Sequence, residues 1–506
     1  MDKEIFDSLT KGQKAAVTAI AQGFNVFVTG CGGTGKSYLT QAIIQDLLAS
    51  GKKIVVCAPT GVAAENVGGV TIHRAFGMTT DLQITKGGKI KRSTPAVIRA
   101  ADVILVDEIS MVRMDIFDCI ASSIYIAAKE TGTHKQLIVC GDFFQLPPVA
   151  SEKEIADLSK FYNREITMPW AFLGDWWDRC NFQTIVLDEI MRQNDTEMIE
   201  NLNRCRVGDS TCISYFNKNA ASKPTTTDIY LFPYKKDVDR MNTRYIQSLE
   251  GNLYEIPKIV NDKNLLESEK EENDSSPLYL KIGARVMLTK NDNEKDERTG
   301  KIKARYVNGT IGIVKAVGPL PENPDEDCVS VQLPSGEIID VTRSKRTIYG
   351  YKLSDKGKIY KMPVGSYYEM PLVPAYALTI HKSQGKTFDY VNIDPKGCFA
   401  AGQLYVALSR AKTIRGVYLY HPIWDRNLIV DKDVKRFYAT LRNDTAAFAE
   451  KRRGRKRKPK IYEEKQLKSA TSAGGRPRKF GNDANRQSVP MKVPKEIADI
   501  LSIIPC

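Results

Sequence analysis

The stretch NVFVTGCGGTGKSYLTQAI, from Asn25 to Ile43, decides how the first part of the chain folds. Its opening residues, NVFV, are typical of a buried strand, and the segment after Ser37 has the composition of a helix. Between them lies GCGGTGKS, Gly30–Ser37. Glycines at such a turn let backbone N–H groups close around phosphate oxygens, while the lysine adds a cation and the serine a hydroxyl. The pattern predicts a phosphate-binding loop.

Short apolar runs alternate with helical patterns through the first 180 residues. The runs are NVFV from Asn25, KIVVCA from Lys53, DVILVD from Asp102 and QLIVCGD from Gln136. Strands that alternate with helices predict right-handed crossovers and a parallel sheet. DYVNID near Tyr390 and GVYLYH near Val417 predict a second unit of the same kind. Between the two units, runs such as LKIGARVMLTKND and EIIDVTR predict a small inserted β-barrel.

Composition sets the broad class. The chain has 506 residues, of which 42% are hydrophobic and 26% charged, which suits ordinary globular cores in about three or four domains. The net charge is +14, and the segment Lys451–Phe480 holds 13 Lys and Arg against 2 Glu, a net of +11 that leaves +3 for the rest. We expect a basic, disordered tail that binds polyanions. Ten scattered cysteines, no signal core and no membrane-length apolar run predict a soluble intracellular protein.

Two acidic residues follow a predicted strand. VDEISM places Asp107 and Glu108 at the edge where open α/β sheets bind ligands. We expect Asp107, with Ser37, to hold Mg²⁺, and Glu108 to act as a general base on the attacking water. GDFFQLPPV puts Gln145 near the same edge, where its amide can bond a γ-phosphate or that water. An acidic turn and a polar loop stopped by prolines are the alternatives. Together the motifs predict ATP hydrolysis.

The complete set of motifs resembles a known family. In chain order they are GCGGTGKS, APTGVAAENVGGVTIH, VDEISM, GDFFQLPPV, IMRQND, TIHKSQGKTF and GQLYVALSRAK. Spread over roughly residues 5–425, they resemble the superfamily 1B DNA helicases of the petite-integration-frequency (PIF, RecD-related) type. The resemblance implies an ATP-dependent 5′-to-3′ helicase, with ATP and Mg²⁺ as cofactors, that moves on single-stranded DNA and at single/double-strand junctions in replication, recombination or repair. Its location would be a bacterial or phage-type cytoplasm, or the nucleus of a eukaryote.

The resemblance also implies the domain order of an α/β fold with two RecA-like parallel-sheet domains. The first would span residues 1–183, with a strand-separating wedge hairpin at about 77–98. The second would comprise residues 184–277 and 356–445, interrupted by an SH3-like domain at 278–355. Residues 446–506 would form the basic tail, with a terminal helix. The enzyme would act as a monomer.

Site residues follow motif by motif. The resemblance implies that Gln13 reads adenine and that two arginines of the second domain reach the γ-phosphate; without it, each arginine is better explained as a surface ion-pair partner. The implied nucleotide-binding set is Gln13, Gly30, Gly32, Gly33, Thr34, Gly35, Lys36, Ser37, Tyr38, Gln384 and Gly385. The implied catalytic set is Lys36, Asp107, Glu108, Gln145, Arg192 and Arg410.

Two further motifs match the strand-contacting positions of the family. These positions are Pro59, Thr60, Gly61, Thr71, His73, Phe76, Thr379, His381, Lys382 and Ser383. Hydroxyl and cationic donors contact phosphates and sugars without reading sequence. His73 and Phe76 could stack on bases, although a core position is equally open for Phe76. These two sets of DNA contacts lie on domains that would close around ATP, so closure and hydrolysis would move the protein stepwise along the strand.

Basic segments leave several alternatives open. LQITKGGKIKR, Leu82–Arg92, predicts a hairpin with a Gly87-Gly88 turn, either the wedge or a solvated basic hairpin. The tail sequences RRGRKRKPK and GGRPRK could bind the DNA backbone, enter the minor groove or direct nuclear import. The rival functions are a translocase that displaces proteins without efficient unwinding and a nucleotide-switched DNA-binding scaffold. RNA substrates also remain open.

Overall fold

A computed structural model describes residues 3–85, 87–191, 195–224, 229–259, 276–295, 302–320 and 323–441. Arg192, Lys86 of the predicted hairpin and the predicted tail from residue 446 onward lie outside the described residues. Met1–Lys435 form one compact unit, which holds both parallel sheets, and of the second unit, Arg436–Cys506, the structure describes residues 436–441.

The helices are short and mostly connect strands. They are α1 (Lys3–Ser8), α2 (Lys11–Ala21), α3 (Lys36–Ala49), α4 (Gly61–Asn66), α5 (Ile72–Phe76), α6 (Ala96–Ala100), α7 (Met114–Thr131), α8 (Glu152–Phe161), α9 (Thr196–Val207), α10 (Cys212–Asn219), α11 (Lys235–Ser248) and α12 (Gln403–Leu408). Within the described parts of the chain, none of the helices is long and apolar enough to cross a membrane.

The strands fall into parallel and antiparallel groups. They are β1 (Val26–Gly30), β2 (Ile54–Ala58), β3 (Val70–Thr71), β4 (Val103–Val106), β5 (Gln136–Cys140), β6 (Gln183–Leu187), β7 (Ile229–Phe232), β8 (Tyr254–Ile256), β9 (Leu278–Leu280), β10 (Arg285–Leu288), β11 (Asp292–Lys295), β12 (Ile302–Tyr306), β13 (Ile311–Leu320), β14 (Asn323–Gln332), β15 (Ile338–Thr342), β16 (Ser344–Leu353), β17 (Ile359–Glu369), β18 (Leu372–Pro374), β19 (Ala377–Thr379), β20 (Val391–Ile393) and β21 (Val417–Leu419).

The first sheet confirms the predicted parallel, RecA-like unit. Its order is β3-β2-β4-β5-β1-β6, and neighbouring strands run parallel. The four predicted strands correspond to β1, β2, β4 and β5. The predicted boundary at residue 183 is wrong, because β6 pairs with β1 from Gln183 to Leu187. Strand β6 is half-exposed, so it lacks the continuous apolar run that marks the central strands.

The second sheet confirms the later parallel unit. Its order is β19-β7-β20-β21, again parallel, and the predicted strands DYVNID and GVYLYH correspond to β20 and β21. A buried apolar cluster joins this sheet to α9, α10 and α12, with fully buried members such as Phe216, Val391 and Val406. Cys31 of the phosphate loop and Leu146 belong to the same cluster. The two α/β units therefore share a packed boundary.

An antiparallel five-stranded sheet interrupts the second unit in the region where the sequence analysis expects a small β-barrel. Its order is β15-β14-β13-β10-β18, around a core that includes Val286, Val329 and Val331. The predicted end at residue 355 is wrong: β18 pairs with β10, so the insertion continues to Pro374. Between β15 and β18 lies a two-stranded ribbon, β16–β17, which the sequence analysis did not identify.

The β16–β17 ribbon attaches the insertion to the first sheet. β3 pairs with Cys57 and Ala58 of β2. Beside this short pairing, the Tyr351 hydroxyl accepts the N–H of Val56 and donates to the carbonyl of the same residue. Arg346, at the other end of β16, donates to both carboxylate oxygens of Glu65 on α4 at 2.9 Å. The ribbon therefore completes the edge of β2 and contacts the helix that follows it.

The hairpin predicted around Gly87-Gly88 is present. Ile84 and Ile90 form an antiparallel bridge, and the N–H of Lys91 donates to the carbonyl of Gln83 at 2.8 Å. Gly88 has φ +66°, in the left-handed region that favours glycine in a tight turn. At the base, the N–H of Gln83 donates to Asp115 Oδ2 at 2.8 Å, so the hairpin is fastened to α7.

Candidate nucleotide cleft and strand-binding residues

The phosphate loop connects β1 to α3. Gly33 and Gly35 have φ values of 91° and 76°, which side chains rarely adopt, and a Cβ on Gly35 would lie 2.7 Å from Gln13 Nε2. Lys36 Nζ donates to the carbonyls of Gly30 at 2.8 Å and Cys31 at 3.0 Å. The ammonium group therefore lies over the loop, at the N-terminus of α3, where backbone amides and positive charge suit a phosphate.

The side chain of Gln13, which the resemblance assigns to the reading of adenine, lies between α2 and the phosphate loop. Its Oε1 accepts the N–H of Thr10 at 2.9 Å, and its Nε2 donates to the carbonyl of Thr34 at 3.3 Å. The residue is 3% exposed. Because both ends of the side-chain amide are engaged, Gln13 holds α2 against the phosphate loop. Ser37 and Tyr38, at the start of α3, are exposed.

The two predicted acids lie together where β4 ends. The N–H of Asp107 donates to the carbonyl of Cys57 at 2.9 Å, and Glu108 has φ 50°, which is uncommon for a residue with a side chain. Burial raises the pKa of Asp107. Burial and the neighbouring Asp107 carboxylate raise the pKa of Glu108 to about 7. A half-buried carboxylate with a pKa near neutrality suits a general base.

Arg410 comes from the second α/β unit and lies beside the phosphate loop. It is 2% exposed; Nε donates to the carbonyl of Val406 at 2.8 Å and Nη2 to Ser409 Oγ at 2.7 Å. A Cβ on Gly32 would lie 3.7 Å from Arg410 Nη2. The Gly32 N–H also donates to the Tyr405 hydroxyl at 2.6 Å, a contact the sequence analysis missed. α12 and the residues after it therefore bring the guanidinium against the loop.

Gln145 and Gln384 meet beside the Glu108 carboxylate. Gln384 Nε2 donates to Glu108 Oε2 at 3.1 Å and to Gln145 Oε1 at 3.5 Å. Gln384 directly follows the 3-10 helix His381–Ser383, and Gly385 after it is exposed. The structure thus brings the three predicted motifs VDEISM, GDFFQLPPV and TIHKSQG to one point.

Arg206 is a charged residue of the cleft that sequence reasoning missed. It lies on α9, and its Nε and Nη2 donate to the Asp142 carboxylate at 3.0 and 2.7 Å. The guanidinium lies 4.5 Å from the centre of the Phe144 ring. Burial opposes ionisation of Asp142, but Arg206 outweighs it and lowers the pKa of that carboxyl. Because 64 residues separate the partners, no local pattern could have revealed this pair.

Most of the predicted strand-contacting residues lie at the starts of short helices. Thr60 caps α4 by accepting the N–H of Ala63 at 3.2 Å, and Thr71 caps α5 by accepting that of Arg74 at 3.3 Å. Pro59, Gly61, His73, Thr379 and His381 are half-buried and Lys382 is exposed. Burial lowers the pKa of His381, so its imidazole is neutral near pH 7. These side chains have enough exposure to touch a strand.

Two of the predicted strand contacts need correction. Phe76 is 0% exposed and packs in the core at the end of α5, so its ring cannot stack on a base in this conformation. Ser383 is also 0% exposed, and its hydroxyl donates to the carbonyl of Ile380 at 2.7 Å. Both side chains are buried in the segments that carry the more exposed predicted contacts, such as His73 and Lys382.

The geometry defines a class of protein: a phosphate-loop protein with two parallel sheets and a cleft lined from both. Residues 8–207 match the family described as PIF1-like helicase, and residues 374–419 match the UvrD-like helicase C-terminal domain.

Individual relatives agree with these family matches. The chain is 30% identical to the ATP-dependent DNA helicase Pif1 of Bdellovibrio bacteriovorus, over 85% of this chain and 91% of that protein. It is 32% identical to ATP-dependent DNA helicase PIF1 of Danio rerio, over 87% of this chain. That match spans 65% of the zebrafish protein, so the chain covers less than two thirds of that relative's length. The chain belongs to the PIF1-like helicase family.

Solved structures match the same region. Pif1 of a Bacteroides species in complex with ADP-AlF4 is 31% identical, with a TM-score of 0.69, and the match covers 86% of this chain and 97% of that one. Bacteroides Pif1 bound to ssDNA matches over the same shares at 31% identity, with a TM-score of 0.60. These neighbours support the two RecA-like parallel-sheet units found here.

Proposed function

We propose that this protein is an ATP-dependent 5′-to-3′ DNA helicase that moves along single-stranded DNA. The observation that carries the proposal is that both α/β units meet at one carboxylate. Gln384 follows the turn Thr379–Ser383, which holds predicted strand contacts, and donates to Glu108 beside the phosphate loop. A nucleotide in the cleft and a strand on that turn would each act on the same contact. Relatives named as ATP-dependent DNA helicases support the same activity, as do structures of Bacteroides Pif1 with ADP-AlF4 and with ssDNA.

Hydrolysis would use residues from both units. The loop amides and Lys36 hold the phosphates, and Glu108 accepts a proton from the water whose oxygen bonds to the γ-phosphorus as the bond to ADP breaks. Gln145 would orient that water. Arg410 would place a permanent positive charge beside the transferring phosphoryl group, where charge develops. Arg192 stays a predicted second arginine.

Mg²⁺ fits the oxygen donors of the cleft. Among the described residues, no group of three or more His, Cys, Asp or Glu side chains could hold a metal. The Ser37 hydroxyl and the Asp107 carboxylate are the hard ligands that Mg²⁺ uses together with phosphates and waters. Burial raises the pKa of Asp107, and a nearby cation would offset that cost. Mg²⁺ would neutralise phosphate charge there.

The strand would lie across the exposed helix starts of both units. Thr60, Thr71 and His73 would contact it from the first unit, and Thr379, His381 and Lys382 from the second. The contacts would be to phosphates and sugars, so binding would be independent of sequence. When the cleft closes on ATP, the distance between the strand-contacting residues of the first unit and those of the second unit changes. Hydrolysis of ATP restores the original distance.

The remaining elements receive supporting roles in this proposal. The five-stranded antiparallel sheet would be the family's SH3-like domain and would help to enclose the strand. The hairpin Leu82–Arg92 would separate the duplex. The basic segment from Lys451 would hold DNA through its phosphates or its minor groove. We also propose that the enzyme acts as a monomer inside the cell, in replication, recombination or repair.

Unwinding of tailed duplexes tests the proposal directly. Two partial duplexes with identical paired segments, one with a 5′ and one with a 3′ single-stranded tail, are incubated with ATP and Mg²⁺. We expect displacement of the strand from the 5′-tailed duplex alone, and none with Lys36→Ala. Displacement from the 3′-tailed duplex would overturn the polarity, and failure on both duplexes would overturn the helicase function.

A further inference from the structure

Gln384 connects two parts of the molecule that have separate tasks in the proposed function. On one side is the turn Thr379–Ser383, which carries strand-contacting residues. On the other is the Glu108 carboxylate, whose Oε2 accepts the Gln384 amide at 3.1 Å. The sequence positions differ by 276 residues, so the contact is made entirely by the tertiary fold.

The contact constrains the carboxylate. One of the two Glu108 oxygens is occupied by the amide, and the same Nε2 lies 3.5 Å from Gln145 Oε1. A hydrogen bond to a carboxylate favours its present orientation and competes with a water for the same lone pairs. Glu108 has φ 50°, so the backbone at this residue is itself in a sparsely populated conformation, which surrounding contacts must hold.

Gln384 is attached to the strand-contact turn as one rigid piece. Its N–H donates to the carbonyl of His381 at 3.1 Å, and the N–H of Lys386 donates to that of Ser383 at 3.0 Å. The Ser383 hydroxyl fastens the same turn to Ile380. Gly385 follows with φ 78° and is exposed. A strand that shifts the turn would therefore shift the Gln384 side chain with it.

We propose that Gln384 restrains Glu108 and that DNA bound to the turn Thr379–Ser383 releases the restraint. The inference rests on the proposed function and deepens it, because it names the residue through which the strand controls hydrolysis. Gln384 is a positioning residue: it acts through Glu108. Without DNA, the amide holds the carboxylate away from the attacking water; with DNA, the carboxylate is free to accept the proton.

ATP hydrolysis by Gln384→Ala tests the restraint. Steady-state rates are measured for the full chain with and without a saturating unstructured DNA oligonucleotide. We expect the rate without DNA to rise about tenfold, as loss of a hydrogen bond to a charged group allows, and the stimulation by DNA to shrink accordingly. The exposed Gln247→Ala on α11 is the matched control and should behave as wild type.

Two comparisons keep the result interpretable. In the double variant Gln384→Ala/Glu108→Gln, the gained rate should vanish, because it passes through the Glu108 carboxylate. If Gln384→Ala lowered the ATP hydrolysis rates with and without DNA by the same factor, the restraint would be overturned. The restraint would also be overturned if the rate of Gln384→Ala without DNA equalled that of wild type. A wild type indifferent to DNA would instead contradict the proposed coupling to a strand, while the rate of Gln384→Ala without DNA would still decide the restraint.

Discussion

At the residue scale, the proposed function gives two side chains of the cleft separable tasks. Lys36 lies over the phosphate loop, bonded to the carbonyls of Gly30 and Cys31, whereas Glu108 lies at the end of β4 beside the buried Asp107. A cation over the loop stabilises bound phosphate. A half-buried carboxylate next to the phosphates acts only when water attacks.

This separation predicts different defects in two variants. Glu108→Gln keeps the size of the side chain but replaces one acceptor oxygen by an amide donor that cannot serve as a base. ATP and DNA should therefore bind as in wild type while kcat falls by at least about a hundredfold. Lys36→Ala should weaken ATP binding itself. Equilibrium binding of a fluorescent ATP analogue, measured beside turnover, checks both variants. An equal loss of nucleotide affinity in the two would contradict the separation.

The sequence predicted the residue types of the cleft well, and its errors have physical reasons. Local pattern locates the loop glycines, Asp107 and Glu108 because they lie where β1 and β4 end, and it locates Gln145 in the loop after β5. Phe76 failed because a motif position does not reveal which way a short helix turns its last residue, and here that residue faces the core. Arg206 was missed because its partner is distant in sequence.

At the scale of elements, continuous apolar runs predicted the central strands and failed at the edges. β6 and the β16–β17 ribbon are partly exposed, so their sequences mix polar and apolar residues and do not look like core strands. The predicted boundary at residue 183 falls on the first residue of β6, and the one at residue 355 falls between β16 and β17. An edge strand is identified by its pairing partner, and pairing is a property of the tertiary structure.

The ribbon offers a test of how the insertion is attached. Val56 is 3% exposed, and its N–H and carbonyl bond the Tyr351 hydroxyl at 3.1 and 3.2 Å. Tyr351→Phe leaves both backbone groups buried without that partner, so the free energy of unfolding should fall by about 1–3 kcal/mol. Tyr349→Phe, a 42% exposed tyrosine on the same strand, is the control. Equal denaturation midpoints for the two variants would contradict the role of the Tyr351 hydroxyl.

At the scale of the whole molecule, charge is divided between a nearly neutral body and a basic C-terminal segment. Of the net charge of +14, the segment Lys451–Phe480 contributes +11. The cleft residues and the predicted strand-contacting residues all precede this segment. Catalysis and general attraction to polyanions should therefore be separable.

Removing the chain from Lys451 onward tests that separation. ATP hydrolysis at saturating DNA should survive, because the cleft is unchanged. DNA affinity should fall, and its dependence on salt should become shallower, because fewer phosphates are neutralised on binding. Binding titrations at several salt concentrations measure both effects. Loss of ATP hydrolysis at saturating DNA would show that the segment contributes to the enzyme's core.

In the proposed mechanism, a strand and a nucleotide communicate across the boundary of the two α/β units. The most direct measurement is steady-state ATP hydrolysis with and without a saturating unstructured DNA oligonucleotide, in wild type, Arg410→Ala and the exposed control Arg415→Ala. We predict strong stimulation by DNA in wild type and in the control, and a stimulated rate at least about a hundredfold lower in Arg410→Ala, since the guanidinium opposes charge that develops during phosphoryl transfer. A wild-type rate indifferent to DNA, or an Arg410→Ala rate equal to that of the control, would contradict the claim.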